Sequence, residues 1–262
     1  MSRENAVDIL CIGAQRAMTS WLHQALAGHP GTWTFPDFHP VTSSSKEAHY
    51  WDWNHKRGPD WYRVLTRPLD DRLKSLDFTP EYAFLTPAQI AECKALNPTA
   101  RVIYILRDPL ARAVSGIRMH TMWASHNAKP EDLTIRMDQA FLDRCKNARI
   151  WEHGAMAANL RRWRAQYPDL LVLNYETLRA DPQAGYRAVL DHAGLDWGGL
   201  DEATQATLTT RAARHVWATP RYGFEPDCLD FLHGAMWPLR EALREEAQVT
   251  FTEGDALLEA SA

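Results

Sequence analysis

Short apolar runs alternate with longer amphipathic stretches along the chain. The runs have continuous apolar centres, which is typical of strands buried on both faces of a sheet, and the stretches between them have helical periodicity. The predicted strands are Asp8–Ile12, Arg101–Leu106 and Leu170–Asn174; the predicted helices are Thr19–Leu26, one beginning at Asp108-Pro109, the stretch Trp151–Tyr167, and Asp181-Pro182 to about Ala193. This alternation predicts an α/β fold, with helices in three α/β/α layers around a central parallel sheet.

Charge and cysteine content narrow the class of protein. The 262 residues include 29 Lys+Arg and 33 Asp+Glu, and the net charge of −4 argues against a dedicated nucleic-acid binder. The N-terminal sequence does not resemble a signal peptide, and the strongest apolar run, Val102–Leu106, is far shorter than the ~20 residues of a membrane span. The cysteines are scattered without a CxxC pair, which predicts reduced thiols, a cytoplasmic protein and no metal site.

The loop after the first predicted strand has the composition of an anion site. It runs from Gly13 to two hydroxyl residues, Thr19 and Ser20, that open the next helix, and Arg16 adds a positive charge. Backbone amides of such a turn and of the helix start point toward a bound anion. The loop is not a Walker A sequence, because Met18 and Thr19 stand where the second glycine and the lysine would be. An ordinary turn with an N-cap threonine remains an alternative.

A second basic element follows the strand Arg101–Leu106. Arg107 stands at the carboxyl end of this strand, where open α/β sheets bind ligands. Ser115 lies about two turns into the following helix. Both side chains can grip one phosphate if the loop folds back. The alternative is a surface ion pair between Arg107 and Asp108, which contributes little.

These segments together resemble the sulfotransferases that use 3′-phosphoadenosine 5′-phosphosulfate (PAPS). Residues Gly13–Leu22 are similar to the family's GxxKxGTTxL loop, and Arg107–His120 to its RDPxxRAxSxxxxH motif. Lys46–Asp52 (KEAHYWD) resembles the KExHFFD segment of heparan-type, or carbohydrate-type, members. Phe78–Tyr82 and Leu171–Pro182 resemble two weaker segments, SPxY and LVLRYEDLxxDP, in the same order. The resemblance covers about residues 8 to 195.

The resemblance implies a P-loop NTPase-like fold and a role for each matching residue. Glu47 would be the catalytic base, with Lys46, His49 and Asp52 beside it, and Arg16 would stabilise the leaving phosphate. Arg107 and Ser115 would hold the 3′-phosphate of PAPS, and no metal would be required. The residues expected to bind the cosubstrate are Gly13, Gln15, Arg16, Ala17, Met18, Thr19, Ser20, Arg107, Ser115, Arg221 and Tyr222.

Two residues depart from the family's phosphate loop. Arg16 replaces a lysine, which keeps the charge but presents a planar fork that cannot deliver a proton. Met18 replaces a glycine and would be strained by roughly 1–2 kcal/mol if the turn requires a positive φ. The loop therefore either adopts another geometry or binds PAPS less tightly. For Lys46 and Glu47, the alternative to catalysis is a solvated ion pair.

The predicted organisation is a single sulfotransferase domain over residues 1–262. It would have a nucleotide-binding core at about 8–195, an inserted acceptor-side segment at about 30–85, a C-terminal helical cap at about 196–248 and a tail at 249–262 that is frayed from about Gly254. The alternative functions are an ATP-dependent P-loop kinase and a non-catalytic nucleotide-binding member of the fold.

The expected partner is a small-molecule, lipid or carbohydrate acceptor, with no nucleic acid and with homo-oligomerisation left open. Because the net charge is −4, a long polyanionic acceptor is disfavoured. Trp53 is expected in the core or in an acceptor wall, and Trp51 and Trp61 in the core. Arg161, Arg162 and Arg164 are interpreted as a solvated helix face.

Overall fold

A computed structural model describes residues 3–126, 128–214 and 219–259. The seven strands of these ranges are β1 (Ile9–Cys11), β2 (Thr32–Trp33), β3 (Lys74–Asp77), β4 (Arg101–Leu106), β5 (Thr134–Ile135), β6 (Leu171–Asn174) and β7 (Gly223–Phe224). The α-helices are α1 (Thr19–Ala27), α2 (Pro59–Leu65), α3 (Pro87–Leu96), α4 (Pro109–Ala124), α5 (Gln139–Asn147), α6 (Ile150–Gly154), α7 (Met156–Arg164), α8 (Tyr175–Ala180), α9 (Pro182–Ala193), α10 (Glu202–Ala212), α11 (Pro226–Ala247) and α12 (Glu253–Glu259).

The chain divides into two compact units. The first comprises residues 3–14, 18–106 and 159–214, and the second comprises 15–17, 107–126, 128–158 and 219–259. The single-domain assignment made from the sequence, with its insertion and cap, stays a prediction. None of the helices within the described ranges is long and apolar enough to cross a membrane.

The first unit is built on a five-stranded sheet in the order β2-β3-β1-β4-β6, with every pair parallel. Its central strands β1 and β4 are almost entirely buried, because both are apolar runs covered on two faces. The α/β fold with a central parallel sheet flanked by helices is therefore confirmed. Since all strands run the same way, the residues that follow β1 and β3 emerge at one edge of the sheet.

The second unit has its own apolar core between α4, α5, α6 and α11. Asp108 caps α4 by accepting a 2.9 Å hydrogen bond from the amide of Ala111, and Pro109 occupies the first helical position. A two-stranded parallel ribbon, β5 with β7, completes this unit. The capped start of α4 fixes the residues that immediately follow β4.

Two sequence predictions are wrong. The stretch Trp151–Tyr167 is not one continuous element, because the helix breaks at Ala155 into α6 and α7. The expected frayed tail from Gly254 is instead helical from Glu253 to Glu259, where Glu253 pairs with Arg107 and Asp255 pairs with Arg240 of α11. Residues 260–262 of that tail lie outside the described ranges.

Candidate active site

The phosphate loop reverses direction through residues with left-handed backbone conformations. Gly13 has φ 129°, Arg16 has φ 69° and Met18 has φ 66°. The loop thus requires a positive φ at Met18, where a methionine costs roughly 1–2 kcal/mol that a glycine would not. The alternative of an N-cap threonine is wrong, because Met18 is the N-cap of α1 and Thr19 is its first residue.

The other residues predicted in this loop differ in what they can offer a ligand. The side chain of Ala17 is fully buried, so this residue can contribute only its backbone. Gln15 and Ser20 are partly buried. Thr19 and Ser20 open α1 as predicted, and the Ser20 hydroxyl accepts a 3.2 Å hydrogen bond from the Lys46 ammonium. The helix start is thereby linked to the segment that carries Glu47.

The Glu47 carboxylate is surrounded by donors. The Lys46 ammonium lies 2.5 Å from its Oε1, the Ser43 hydroxyl donates to its Oε2, and Nε2 of His49 lies 3.4 Å from the same Oε2. Burial alone would raise the pKa of Glu47, but the charge of Lys46 and the hydrogen bonds from His49, Lys46 and Ser43 outweigh it and hold the pKa well below its ordinary value. Glu47 is therefore ionised throughout the physiological range of pH.

His49 is held between two carboxylates. Its ring is only 2% exposed, and its Nδ1 lies 2.7 Å from Oδ2 of Asp52. Burial would lower the pKa of His49, but hydrogen bonds with Asp52 and Glu47 raise it to about 10, so both ring nitrogens carry protons at neutral pH. The four predicted residues Lys46, Glu47, His49 and Asp52 thus form one connected cluster, called the Glu47 cluster below.

A buried aspartate on β3 fixes the backbone of this cluster. Oδ1 of Asp77 accepts hydrogen bonds from the amide of Ala48 and the hydroxyl of Thr79, and its Oδ2 accepts from the phenols of Tyr62 and Tyr82. Burial raises the pKa of Asp77, and these hydrogen bonds oppose that rise. Asp77 is missing from the sequence-based site, because hydrophobic patterning does not detect a buried carboxylate within a strand.

Glu81 is a second carboxylate that the sequence analysis did not single out. Its carboxylate, that of Asp52 and the imidazole of His49 place ligand atoms within 4.8 Å of one another. Burial raises the pKa of Glu81 to about 7, and the negative charge of Glu47 adds to that rise. These three side chains could hold a divalent cation only if His49 first lost its proton, because a protonated imidazole cannot be a ligand.

In the second unit, residues from two predicted motifs meet. Nε of Arg16 donates a 3.1 Å hydrogen bond to Oγ of Ser115, and Nη1 of Arg107 donates to the backbone oxygen of Arg16 at 2.5 Å. Arg16 also donates to the hydroxyl of Thr219. The alternative of a surface ion pair between Arg107 and Asp108 is wrong, because both residues are buried. Arg107 pairs with Glu253, and Asp108 pairs with Arg240.

The two predicted C-terminal residues differ in position. Arg221 is exposed, whereas Tyr222 is fully buried and its hydroxyl donates to the backbone oxygen of Ala128 at 2.8 Å. The backbone oxygen of Tyr222 accepts a hydrogen bond from Arg118, a basic residue that sequence reasoning missed. Burial lowers the pKa of Arg118, and the positive charges of Arg221 and Arg107 lower it further. These arginines, with Arg16, concentrate positive charge in the second unit.

The three tryptophans near the KEAHYWD segment are in different environments. Trp51 is buried, as predicted. Trp61 is also predicted in the core but is partly exposed, with the Arg57 guanidinium 5.4 Å from its ring centre. Trp53 is 59% exposed and stacks on His49, with ring centroids 3.5 Å apart and planes 4° from parallel. Its free face is therefore available beside the Glu47 cluster.

Comparisons with known proteins agree on one family. A family model described as "Sulfotransferase family" matches residues 8–199. Heparan sulfate glucosamine 3-O-sulfotransferase 3A1 of Mus musculus is 28% identical over 189 residues, which cover 71% of this chain and 45% of that protein. Heparan sulfate glucosamine 3-O-sulfotransferase 6 of Homo sapiens is 27% identical over 197 residues, covering 74% and 54%. The chain thus spans about half the length of these relatives.

Solved structures agree with this fold. A sulfotransferase from Alicyclobacillus acidocaldarius superimposes with a TM-score of 0.66 at 16% identity, covering 95% of this chain and 98% of that one. A sulfotransferase from Mycobacterium avium gives a TM-score of 0.54 at 16% identity, with 93% and 77% covered. At these identities the likeness concerns the fold alone.

Proposed function

The chain belongs to the sulfotransferase family, and we propose that it moves the sulfuryl group of PAPS to a hydroxyl or amine of a small acceptor. The observation that carries the proposal is the Glu47 cluster. An ionised carboxylate lies beside a lysine, and that lysine also reaches the hydroxyl residue at the start of α1. Such a base and such a cation are what sulfuryl transfer needs.

In the proposed reaction the acceptor oxygen or nitrogen attacks sulfur in line and forms a new bond to it. The bond between sulfur and the bridging phosphate oxygen breaks, and adenosine 3′,5′-bisphosphate leaves with that electron pair. The proton of the acceptor passes to Glu47. By analogy with phosphoryl transfer, most of the rate enhancement then comes from alignment and from stabilising charge on the leaving oxygen.

Lys46 is proposed to couple these events. It holds the pKa of Glu47 low by its charge and hydrogen bond. When the lysine turns toward the negative charge that grows on the bridging oxygen, Glu47 loses this stabilisation and becomes a stronger base.

His49 remains protonated through Asp52, and it orients Glu47 rather than accepting a proton itself. Arg16 is proposed to stabilise the leaving phosphate.

Arg107 and Ser115 are proposed to bind the 3′-phosphate of PAPS. A guanidinium suits this role, because its fork matches the geometry of phosphate oxygens. Burial lowers the pKa of Arg118, and the like charges of Arg221 and Arg107 add to that effect. These like charges support the same role, since an anion bound among them would relieve their repulsion. Recognition of the 3′-phosphate would distinguish PAPS from ATP and from adenylyl sulfate.

The proposed acceptor is a sugar-like or partly apolar small molecule. The exposed face of Trp53 supports this, because aromatic rings pack well against the apolar faces of sugars and lipids. Two of the similar proteins act, by their names, on heparan sulfate glucosamine. The net charge of −4 argues that a long polyanion is not the acceptor here.

The cytoplasmic location stays a prediction.

Calorimetric titration with three nucleotides tests the cosubstrate. Adenosine 3′,5′-bisphosphate should bind at least about tenfold more tightly than AMP or ATP-Mg, a difference of roughly 1.4 kcal/mol in binding free energy. A preference for ATP-Mg would favour a kinase. Absence of binding by all three nucleotides would favour a non-catalytic member of the fold.

A further inference from the structure

The C-terminal helix α12 places a carboxylate on Arg107. Nε of Arg107 donates to Oε2 of Glu253 at 2.8 Å, and its Nη2 donates to Oε1 at 2.6 Å. The carboxylate therefore forms a bidentate pair with one edge of the guanidinium, the edge that carries Nε and Nη2. Arg107 is 8% exposed, so this pair is shielded from water on the arginine side.

A second set of contacts holds the same segment in place. Arg240 of α11 pairs with Asp108 at 2.8 Å and with Asp255 at 2.6 Å, and it donates to the backbone oxygen of Phe251. Gly254 lies so close to Asp108 that a Cβ there would be 2.6 Å from both carboxylate oxygens. The backbone around Glu253 is thus seated tightly at the start of α4, which makes its contact with Arg107 a built feature of the fold.

We propose that Glu253 competes with the 3′-phosphate of the cosubstrate for the same edge of Arg107. The inference rests on the proposed function, in which Arg107 binds that phosphate. A carboxylate and a phosphate oxygen pair use the same two donors, so they cannot both occupy the edge. The phosphate carries a charge of about −1.5 to −2 against −1 for the carboxylate, which lets it displace Glu253.

The competition makes the release of α12 from Arg107 depend on a 3′-phosphate. A nucleotide with a 3′-phosphate replaces the charge that it removes from Arg107, whereas AMP carries nothing that can take the place of Glu253 there. Affinity for the bisphosphate is lowered by the free energy needed to displace Glu253. Binding also releases α12 from Arg107, so the segment 251–259 loosens when the nucleotide is bound.

The decisive experiment titrates adenosine 3′,5′-bisphosphate and AMP into the full chain and two variants. Glu253→Gln removes the competing charge, and Glu241→Gln removes one charge from α11, where Glu241 pairs with Arg244 rather than with Arg107. We expect Glu253→Gln to bind the bisphosphate about tenfold more tightly. AMP affinity should stay within twofold, and Glu241→Gln should match the unmodified protein.

Each other outcome has a distinct meaning. If Glu253→Gln binds the bisphosphate equally or more weakly, Glu253 supports Arg107 and the competition is refuted. Equal gains in both variants would show a general charge effect and would also refute it. If the unmodified protein fails to distinguish the bisphosphate from AMP, the proposed 3′-phosphate site itself fails.

Hydrogen exchange gives an independent readout of the same competition. In the unmodified protein, the bisphosphate should speed amide exchange in residues 251–259, because displacement of Glu253 loosens α12. AMP should leave that exchange unchanged. Slower exchange in this segment with the bisphosphate would contradict the proposal, since it would mean that the nucleotide and α12 bind together.

Discussion

Arg16 and Ser115 form a 3.1 Å hydrogen bond across 99 positions of the chain, from its first loop to the second turn of α4. The two residues belong to different motifs, each interpreted separately as a phosphate ligand. Their contact, with the Arg107 guanidinium on the backbone oxygen of Arg16, makes a single group of donors in the second unit.

Removal of Arg107 tests the assignment of the 3′-phosphate. Arg107→Ala should weaken binding of adenosine 3′,5′-bisphosphate by roughly 10- to 100-fold, because a charged hydrogen-bonded pair is worth about 1.5–3 kcal/mol. AMP affinity should change little. Arg101→Ala is the matched control, since Arg101 is exposed and pairs with Asp169. Equal losses of affinity for both nucleotides, measured by calorimetry, would contradict binding of the 3′-phosphate by Arg107.

Met18 provides a test of backbone strain. Met18→Gly and Met18→Ala both remove the long side chain, but only glycine adopts φ 66° without strain. Glycine loses some stability through its flexible unfolded state, so the net advantage of the Gly variant should be about 1 kcal/mol in urea unfolding. An Ala variant as stable as the Gly variant would show that the loop is not strained at this position.

Glu81 predicts a pH dependence of stability. Its pKa is about 7 in the folded protein against 4.5 in the unfolded chain, so the unfolded state binds fewer protons between these values. Stability should therefore fall as pH rises from 4.5 to 7, by up to about 3 kcal/mol from this group. Glu81→Gln should remove that part of the slope and stabilise the protein at pH 8. Parallel pH profiles of unfolding for the variant and the unmodified protein would refute the shifted pKa.

Trp53 predicts a split between acceptor and nucleotide binding. Trp53→Ala should raise the KM of the acceptor several-fold and leave the affinity for adenosine 3′,5′-bisphosphate unchanged. Trp53→Phe keeps an aromatic face and should recover most of the loss. Because Trp53 also stacks on His49, the pH profile of kcat should be compared in both variants. A fall in kcat with an unchanged acceptor KM would show that Trp53 supports His49 and does not contact the acceptor.

The sequence predicts those strands of the sheet whose own residues are enough to define them. β4 has the predicted bounds, and β1 and β6 lie within theirs, because each is a continuous apolar run. β2 and β3 were missed, since one has two residues and the other begins with a lysine and ends with a buried aspartate. Pairing with neighbouring strands, which local pattern does not reveal, makes these segments strands.

The residues of the candidate site also fall into those that the sequence predicts and those that only the fold brings together. Lys46, Glu47, His49 and Asp52 are close in sequence, so the motif that names them also predicts that they are near one another. Asp77, Glu81, Arg118 and Glu253 reach their partners only through the fold, and Glu253 lies 146 positions from Arg107. No local signal marks a carboxylate as the partner of so distant an arginine.

The central claim is that Glu47 accepts the acceptor's proton during sulfuryl transfer from PAPS. The most direct test follows transfer of labelled sulfate from PAPS to a panel of hydroxyl and amine acceptors. It compares the unmodified protein, Glu47→Gln, and Glu92→Gln as a control, since Glu92 pairs with His55 at the surface.

A labelled product should form with the unmodified protein and with Glu92→Gln. Glu47→Gln should be about 10²- to 10⁴-fold slower, with unchanged affinity for adenosine 3′,5′-bisphosphate. Turnover by Glu47→Gln within a few-fold of the unmodified protein would contradict the account.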